Sequence, residues 1–289
     1  MPELPEVETI ARGLAPQVEG RTVTAVHILN DSTVEGRREL LEHRVTGCVI
    51  SRVHRRGKVL LMDIAPASAS ATDKPVVAPQ PSSQPTHVAF HLKMTGRLFV
   101  YPQGTPPAVH TRIIFDLSDG SRVFFDDARK FGYCRALAAQ DFTEWNFWQK
   151  LGPEPLEIGE DAFVQLLRGR RTRIKAALLD QTVIAGIGNI YADESLFRAR
   201  IRPDAACDSI PEAKLRALHG VMQAVLQLAI RECGSSIRDY RDAHGDAGAF
   251  QNNFLVYGKA GEKCTVCGRK LSTAKVAGRT TVFCGKCQK

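Results

Sequence analysis

Two cysteine pairs near the C-terminus constrain this chain more than any other feature: Cys264-Thr265-Val266-Cys267 and Cys284-Gly285-Lys286-Cys287. The sixteen residues between them fit a four-cysteine zinc ribbon, in which thiolates at the corners of a tetrahedron hold one Zn2+. A segment this short buries little apolar surface, so metal binding, on the order of 10–16 kcal/mol for structural zinc peptides, decides whether it folds. The other cysteines, Cys48, Cys134, Cys207 and Cys233, are scattered, which speaks against the disulfide framework of a secreted protein. Residues 263–289 carry seven Lys or Arg and no acid, so the ribbon stays cationic despite its thiolates. Arg279-Thr280-Thr281 falls between the two knuckles, at a hairpin tip or on a strand, suited to touching phosphate.

The positive balance extends over the chain. Lys and Arg total 39 against 31 Asp and Glu, a net charge of +8, which favours a polyanionic partner, most often nucleic acid. With 289 residues, 44% of them hydrophobic, the chain suffices for about two domains with real cores. No run of about 18 apolar residues occurs, and the N-terminus is acidic where a secretory signal is basic and then apolar. A soluble intracellular protein is expected.

The first half reads mostly as antiparallel β-structure. Residues 22–29 alternate in strand fashion, residues 44–64 hold two β-rich runs, and strand character returns over 87–101 and 111–125, with Ser118-Asp119-Gly120-Ser121 as hairpin turn. Arg52, Arg55, Arg56 and Lys58 form a basic edge that reads equally as a solvated face, though Lys58 precedes the apolar Val59-Leu60-Leu61-Met62 and so can point into a cleft. Pro75, Pro79, Pro81 and Pro85 break residues 65–85 into an exposed insertion. The charged stretch from Asp126 to Gly132 leaves the sheet with Arg129 and Phe131 two residues apart, either a nucleic-acid reader and wedge or a surface ion pair and an anchor.

Past Pro153 and Pro155 the pattern turns helical. Residues 161–168 start an amphipathic helix, and Arg170, Arg171, Arg173 and Lys175 add basic charge. Gly186-Ile187-Gly188-Asn189 then forms a tight turn into a helix whose free N–H groups suit a phosphate, although such a turn also serves simple helix packing. Leu215, Leu218, Met222, Val225, Leu226 and Ala229 make a core stripe without chemistry. Residues 234–257 are polar and glycine-rich, a long loop of the functional kind.

The opening Met1-Pro2-Glu3-Leu4-Pro5-Glu6-Val7-Glu8 admits two readings. Removal of Met1 frees a secondary amine at Pro2, and an α-amino group with a pKa of about 8 is partly uncharged near neutrality, a nucleophile suited to a sugar or aldehyde carbon. The same residues also begin a helix, with Pro5 in its first turn and Val7, Ile10 and Leu14 facing a core.

Taken with Arg56-Gly57-Lys58, His91-Leu92-Lys93-Met94-Thr95-Gly96, Asp127-Ala128-Arg129-Lys130-Phe131-Gly132, Gly186-Ile187-Gly188-Asn189-Ile190-Tyr191 and the terminal ribbon, this octapeptide resembles the bacterial formamidopyrimidine-DNA glycosylases from end to end, apart from the insertion. The resemblance implies an α+β architecture: an N-terminal antiparallel β-sandwich domain with an N-terminal helix over 1–142, carrying a flexible insertion at 65–86, and a linker at 143–157. A helical helix–two-turn–helix domain with a lesion-capping loop follows over 158–256, and a zinc-ribbon finger over 257–289. It implies base excision repair of damaged double-stranded DNA by a monomer in the bacterial cytoplasm, nucleoid-associated when bound. A DNA glycosylase and AP lyase would remove 8-oxoguanine and formamidopyrimidines through a Schiff base, followed by β,δ-elimination.

By matching position, Pro2 takes the nucleophile's place, Glu3 the acid/base group's, Lys58 that of a lysine handling phosphate and proton transfer, and Arg279 that of a phosphate-gripping arginine acting in the second elimination. Met94, Arg129 and Phe131 match the residues that fill the gap left by an everted nucleotide, and His110, Arg171 and Asn189 match DNA-backbone contacts. Cys264, Cys267, Cys284 and Cys287 match the ligands of one structural Zn2+. Retention of Met1 would make the Pro2 nitrogen an amide and abolish the covalent chemistry. Two other readings fit the same features, an endonuclease VIII-like glycosylase of oxidised pyrimidines and a non-catalytic zinc-dependent DNA-binding protein; Leu4 and the Met94, Arg129, Phe131 set favour the purine-directed branch.

Overall fold

A computed structural model describes residues 1–67, 86–237 and 240–289. They fold as two compact units: Met1–Pro2, Glu6–Gln149 and Ser236–Gly248 make the first, and Glu3–Pro5, Lys150–Ser235 and Ala249–Lys289 the second.

The first unit is a β-sandwich. Helix α1 (Leu4–Val18) opens the chain and is followed by β1 (Val23–Ile28), β2 (Cys48–Arg56), β3 (Val59–Pro66), β4 (His87–His91), β5 (Gly96–Tyr101), β6 (Thr111–Leu117), β7 (Arg122–Asp127) and β8 (Tyr133–Leu137). These strands form two antiparallel four-stranded sheets, ordered β1-β6-β7-β5 and β2-β3-β4-β8. Alternate residues of both sheets, among them Val26, Ile113, Phe115 and Phe125 from one and Val53, Leu60, Met62, Val88 and Phe90 from the other, share one core. The apolar stripe of α1 at Val7, Ile10, Leu14 and Val18 joins it.

The β6–β7 hairpin turns where expected, with Gly120 at φ +86° and Asp119 Oδ1 accepting from the Ser121 N–H at 3.0 Å. Strand β3 is apolar on both faces because both are covered. Leu60, Met62 and Ile64 face the sandwich core, whereas Val59 and Leu61 turn outward with Ala89 against Trp145, Phe142, Phe147 and Trp148. Those aromatics sit on two short helices, α2 (Asp141–Glu144) and α3 (Asn146–Gln149), and on the residue between them, where composition suggests only a linker. An apolar outer sheet face requires such a cover. Ala65 and Pro66 end β3 rather than begin an insertion; residues 68–85, the body of that insertion, lie outside the described residues.

The second unit packs α4 (Glu160–Leu167), α5 (Ile174–Leu179), α6 (Asn189–Arg198) and α7 (Glu212–Arg231) around one core that includes Phe163, Leu178, Tyr191, Leu196, Leu218, Met222 and Leu226. The α7 residues read as a core stripe are all buried. The ribbon hairpin, β9 (Ser272–Val276) and β10 (Arg279–Phe283), turns through Ala277 and Gly278, with φ of +50° and +71°. Consecutive positive φ values of this kind match the right-handed twist of the flanking strands.

Candidate active site

The residues after Pro2 are fixed by backbone donors. The Leu4 N–H donates to the Gly186 carbonyl at 3.0 Å, and the Glu3 carboxylate, 4% exposed, accepts from the N–H groups of Gly188 at 2.8 Å and Ile190 at 3.0 Å. Gly188 caps α6, so Glu3 occupies the positive end of that helix, whose dipole and unpaired N–H groups favour an anion. In the Gly186-Ile187-Gly188 turn and the helix start it opens, whose sequence suits either a phosphate or helix packing, the N–H groups of Gly188 and Ile190 are engaged by Glu3. Neither glycine accepts a Cβ without a shift of the side chain packed on it. A Cβ on Gly188 would lie 2.3 Å from Glu3 Cδ, and one on Gly186, whose φ is +84°, 2.7 Å from Leu4 Cδ1.

Pro2 is buried and Met1 half exposed in this chain. Lys58 lies in the tight β2–β3 turn, after Gly57 with φ +56°, and is 7% exposed. The basic edge beside it is not uniformly solvated. Arg55 Nε lies 2.8 Å from Glu8 Oε2, Arg56 covers the Trp148 ring at 5.0 Å, and Arg52 is exposed. His91, at the end of β4, is buried against Tyr133 and Phe147, and its Nδ1 accepts from the Lys93 N–H at 3.2 Å. Burial, reinforced by the charges of Lys93 and Lys58, pushes its pKa down to about 3, so this imidazole is neutral.

Met94, Arg129 and Phe131 converge. Arg129 Nη1 lies 2.9 Å from Met94 Sδ, and its guanidinium covers the Phe131 ring at 4.9 Å from the centroid. Met94 at 45% and Phe131 at 55% exposure are large apolar side chains left in water beside a cation. A sulfur, an aromatic ring and a planar donor fork so arranged can fill a gap in a base stack and hydrogen-bond a base edge. His110 is exposed just before β6.

In the second unit, Asn189 Nδ2 donates to the Thr280 carbonyl at 3.2 Å, joining the start of α6 to the strand that carries Arg279. Arg279 and Arg171 are exposed. The four ribbon sulfurs lie within 4.8 Å of one another, with Cys264–Cys287 at 3.9 Å and Cys267–Cys284 at 3.4 Å. A tetrahedron with zinc–sulfur bonds of about 2.3 Å has edges of about 3.8 Å, so these thiols fit one Zn2+.

Several residues that organise this unit escaped sequence reasoning. Lys175 is fully buried, with Nζ 2.7 Å from both Asp193 Oδ1 and Thr281 Oγ1, which ties α5 and α6 to β10. Burial pushes the Asp193 carboxyl up to about 6 and the Lys175 amine down, each partly offset by the other's charge. Glu194, also fully buried, accepts the N–H groups of Leu255, Val256 and Tyr257 at 2.9–3.0 Å and pairs with Arg198, anchoring the segment that enters the ribbon. The expected lesion-capping loop divides between the units: Gly234 accepts from the Phe250 N–H at 3.0 Å in the second, whereas Ala243 packs in the core of the first, against Gly13 of α1.

Residues 1–134 match the formamidopyrimidine-DNA glycosylase N-terminal domain, residues 151–241 the H2TH domain of the same enzyme, and residues 261–289 a zinc finger found in FPG and IleRS. The formamidopyrimidine-DNA glycosylase of Nitratidesulfovibrio vulgaris is 44% identical over 365 aligned positions that cover all of both chains. A Lactococcus lactis FPG variant in complex with Fapy-dG containing DNA superposes with a TM-score of 0.87 at 34% identity, all of both chains covered. The Lactococcus lactis Fpg bound to abasic-site DNA gives a TM-score of 0.86 at 34% identity over 99% of each chain.

Proposed function

The chain belongs to the formamidopyrimidine-DNA glycosylase family, and from that premise we propose how its own residues carry out the reaction. The protein is a bifunctional DNA glycosylase and AP lyase that binds damaged DNA and removes oxidised purines. Once Met1 has been cleaved, the Pro2 nitrogen attacks C1′ of the everted nucleotide. Its lone pair forms the N–C1′ bond while the glycosidic pair leaves with the base. Opening of the sugar then gives an iminium, whose positive charge does not depend on pH because the nitrogen is secondary. This charge is the electron sink that lets the C2′ proton and then the 3′ phosphate depart, and afterwards the 5′ phosphate.

The observation that carries this assignment is the seating of Glu3. Its carboxylate is gripped by the N–H groups of Gly188, Ile190 and, at 3.5 Å, Tyr191, one residue from the proposed nucleophile, suited to exchanging protons with the opening sugar. Lys58 serves the phosphate flanking the lesion, and Arg279, exposed on the ribbon hairpin, grips phosphate during the second elimination. Eversion costs a few kcal/mol, and Met94, Arg129 and Phe131 hold the gap open, Arg129 facing the estranged base and Phe131 wedging the stack. His110, Arg171 and Asn189 steady the backbone. Cys264, Cys267, Cys284 and Cys287 would hold the Zn2+, which when bound would fold the ribbon that presents Arg279. We assign the action to a monomer in the bacterial cytoplasm.

Borohydride trapping tests the assignment. Processed protein should form a covalent adduct with 8-oxoguanine duplex that vanishes in Pro2→Gly or when Met1 is retained. An adduct that survives in both would remove Pro2 from the nucleophile's role, and stronger trapping on a thymine glycol duplex would move the protein to the pyrimidine-directed branch.

A further inference from the structure

Every polar atom of Asp127 has a partner, although the residue is fully buried and belongs to none of the roles assigned above. Its N–H donates to the His110 carbonyl at 2.9 Å, and its carbonyl accepts from Arg112 Nε at 2.8 Å. Oδ1 accepts from the Thr95 hydroxyl and from the Arg129 N–H at 3.2 Å, and Oδ2 from the Gly132 N–H at 2.7 Å. Thr95 Oγ1 in turn accepts from the same Arg129 N–H at 3.1 Å. The carboxylate therefore spans two separate loops, the one bearing Met94 and the one bearing Arg129 and Phe131. Lys93 and Lys130, at φ +49° and +58°, show that both loops hold conformations that side chains seldom adopt unaided. Gly132 leaves room for this: a Cβ there would lie 3.1 Å from Asp127 Oδ2 and 3.0 Å from Phe125 Cζ.

We infer that Asp127, acting with Thr95, is the positioning residue that fixes Met94, Arg129 and Phe131 as one rigid reader, and so sets discrimination of the base opposite the lesion; the inference rests on the void-filling role proposed for those three. Charge-assisted bonds to backbone hold a loop where exposed side chains cannot hold themselves. An asparagine has one acceptor oxygen and one donor nitrogen, so in Asp127→Asn an N–H must face either the Gly132 N–H or the Thr95 and Arg129 donors. Thr95→Val removes the bridging hydroxyl, and Thr95→Ser keeps it.

The test compares excision of 8-oxoguanine opposite C and opposite A with cleavage of a single-stranded abasic oligonucleotide, which has no opposite base. Asp127→Asn and Thr95→Val should reduce the C-to-A ratio about tenfold with single-strand cleavage unchanged, Thr95→Ser should restore the ratio, and hydrogen exchange over residues 128–132 should accelerate in the first two. An unchanged ratio in both variants overturns the inference, as does an equal loss on both substrates, which would indicate general unfolding. Arg129→Ala separates the two layers: if it leaves the ratio intact, the void-filling reading fails, whereas a ratio lowered by Arg129→Ala but not by Asp127→Asn sinks the positioning role alone.

Discussion

Replacing Gly188 with alanine should dislodge the Glu3 carboxylate, to which we assign proton transfer, without touching it in sequence. The added Cβ would stand 2.3 Å from Glu3 Cδ, 2.4 Å from Oε1 and 2.7 Å from Oε2, where ordinary contact begins at 3.4 Å. Gly188 opens α6 and its N–H already serves Glu3, so the helix start resists moving and the carboxylate must shift by about 1 Å. The shift breaks the bonds from the Gly188 and Ile190 N–H groups, each charge-assisted and worth about 1.5–3 kcal/mol. A displacement of that size in a reacting group costs about a hundredfold in rate. Single-turnover excision from an 8-oxoguanine duplex, with enzyme in excess, reads the chemical step. Equilibrium binding to duplex containing an abasic analogue reads DNA recognition. We expect the first to fall about a hundredfold while the second is retained. Gly220→Ala is the matched control, because a Cβ there, on the exposed face of α7, meets nothing within 4 Å, and it should stabilise the helix by up to about 1 kcal/mol with unchanged excision. Wild-type excision by Gly188→Ala would refute the assignment of Glu3 to proton transfer, and parallel loss of excision and binding would show that the turn serves recognition instead.

Three further expectations rest on buried groups. His91 is neutral in the fold with its pKa near 3 and charges in the unfolded chain near 6.5, so its stabilising contribution is complete above pH 6.5 and is lost as pH falls towards 3; urea melts should show wild type losing about 2 kcal/mol relative to His91→Gln between pH 7 and pH 5, and identical acid slopes would contradict the burial argument. Cys284→Ser, or chelation, should unfold the ribbon and weaken binding to damaged and undamaged duplex alike; loss confined to damaged DNA would show that the ribbon reads lesions. Lys175→Met strands the Asp193 carboxylate and should cost about 3–5 kcal/mol in denaturant melts, most of it recovered in the double variant with Asp193→Leu; a cost below about 1 kcal/mol in the single variant would mean that the pair is not desolvated.

Much of this architecture is written in local patterns. Alternation located seven of the sandwich strands, helical spacing located α1 and the α7 core face, and cysteine spacing located the ribbon, because each depends on residues close together in the chain. Strand β8 is missed because Tyr133-Cys134-Arg135-Ala136-Leu137 is short and mixed, and is ordered by pairing with β4. The cover over Val59 and Leu61 is missed for a related reason: Trp145 and Trp148 read as linker residues until an apolar sheet face requires them. The polar members of α6 are the furthest from sequence logic. Asp193, Glu194 and Ser195 stand consecutively in a helix and would ordinarily mark its wet side, yet all are buried, with the partners of Asp193 and Glu194 reached through Lys175, through Val282 and through residues 255–257. Satisfaction of buried polar groups is a long-range property and leaves no periodic trace.

On the mechanism proposed above, the two readings of the opening octapeptide describe one device. A flexible glutamate side chain anchored by other side chains would inherit their motion, but Glu3 is anchored by peptide N–H groups at the start of a helix, whose positions are fixed by core residues such as Tyr191 and Leu196. Neighbouring residues are joined by a planar peptide spanning about 3.8 Å between Cα atoms, so fixing Glu3 confines Pro2 to the few positions that two backbone dihedrals allow. The helix start at Leu4, held by the Gly186 carbonyl, restricts the chain from the other side. Removal of Met1 would thereby give a terminal amine, ordinarily the most mobile group in a protein, the placement of an internal residue, as the role proposed for Pro2 requires. Glycine at Gly186 and Gly188 suits the same arrangement: the side chains of Leu4 and Glu3 occupy the space that a Cβ would enter, and at Gly186 the φ of +84° adds to the demand.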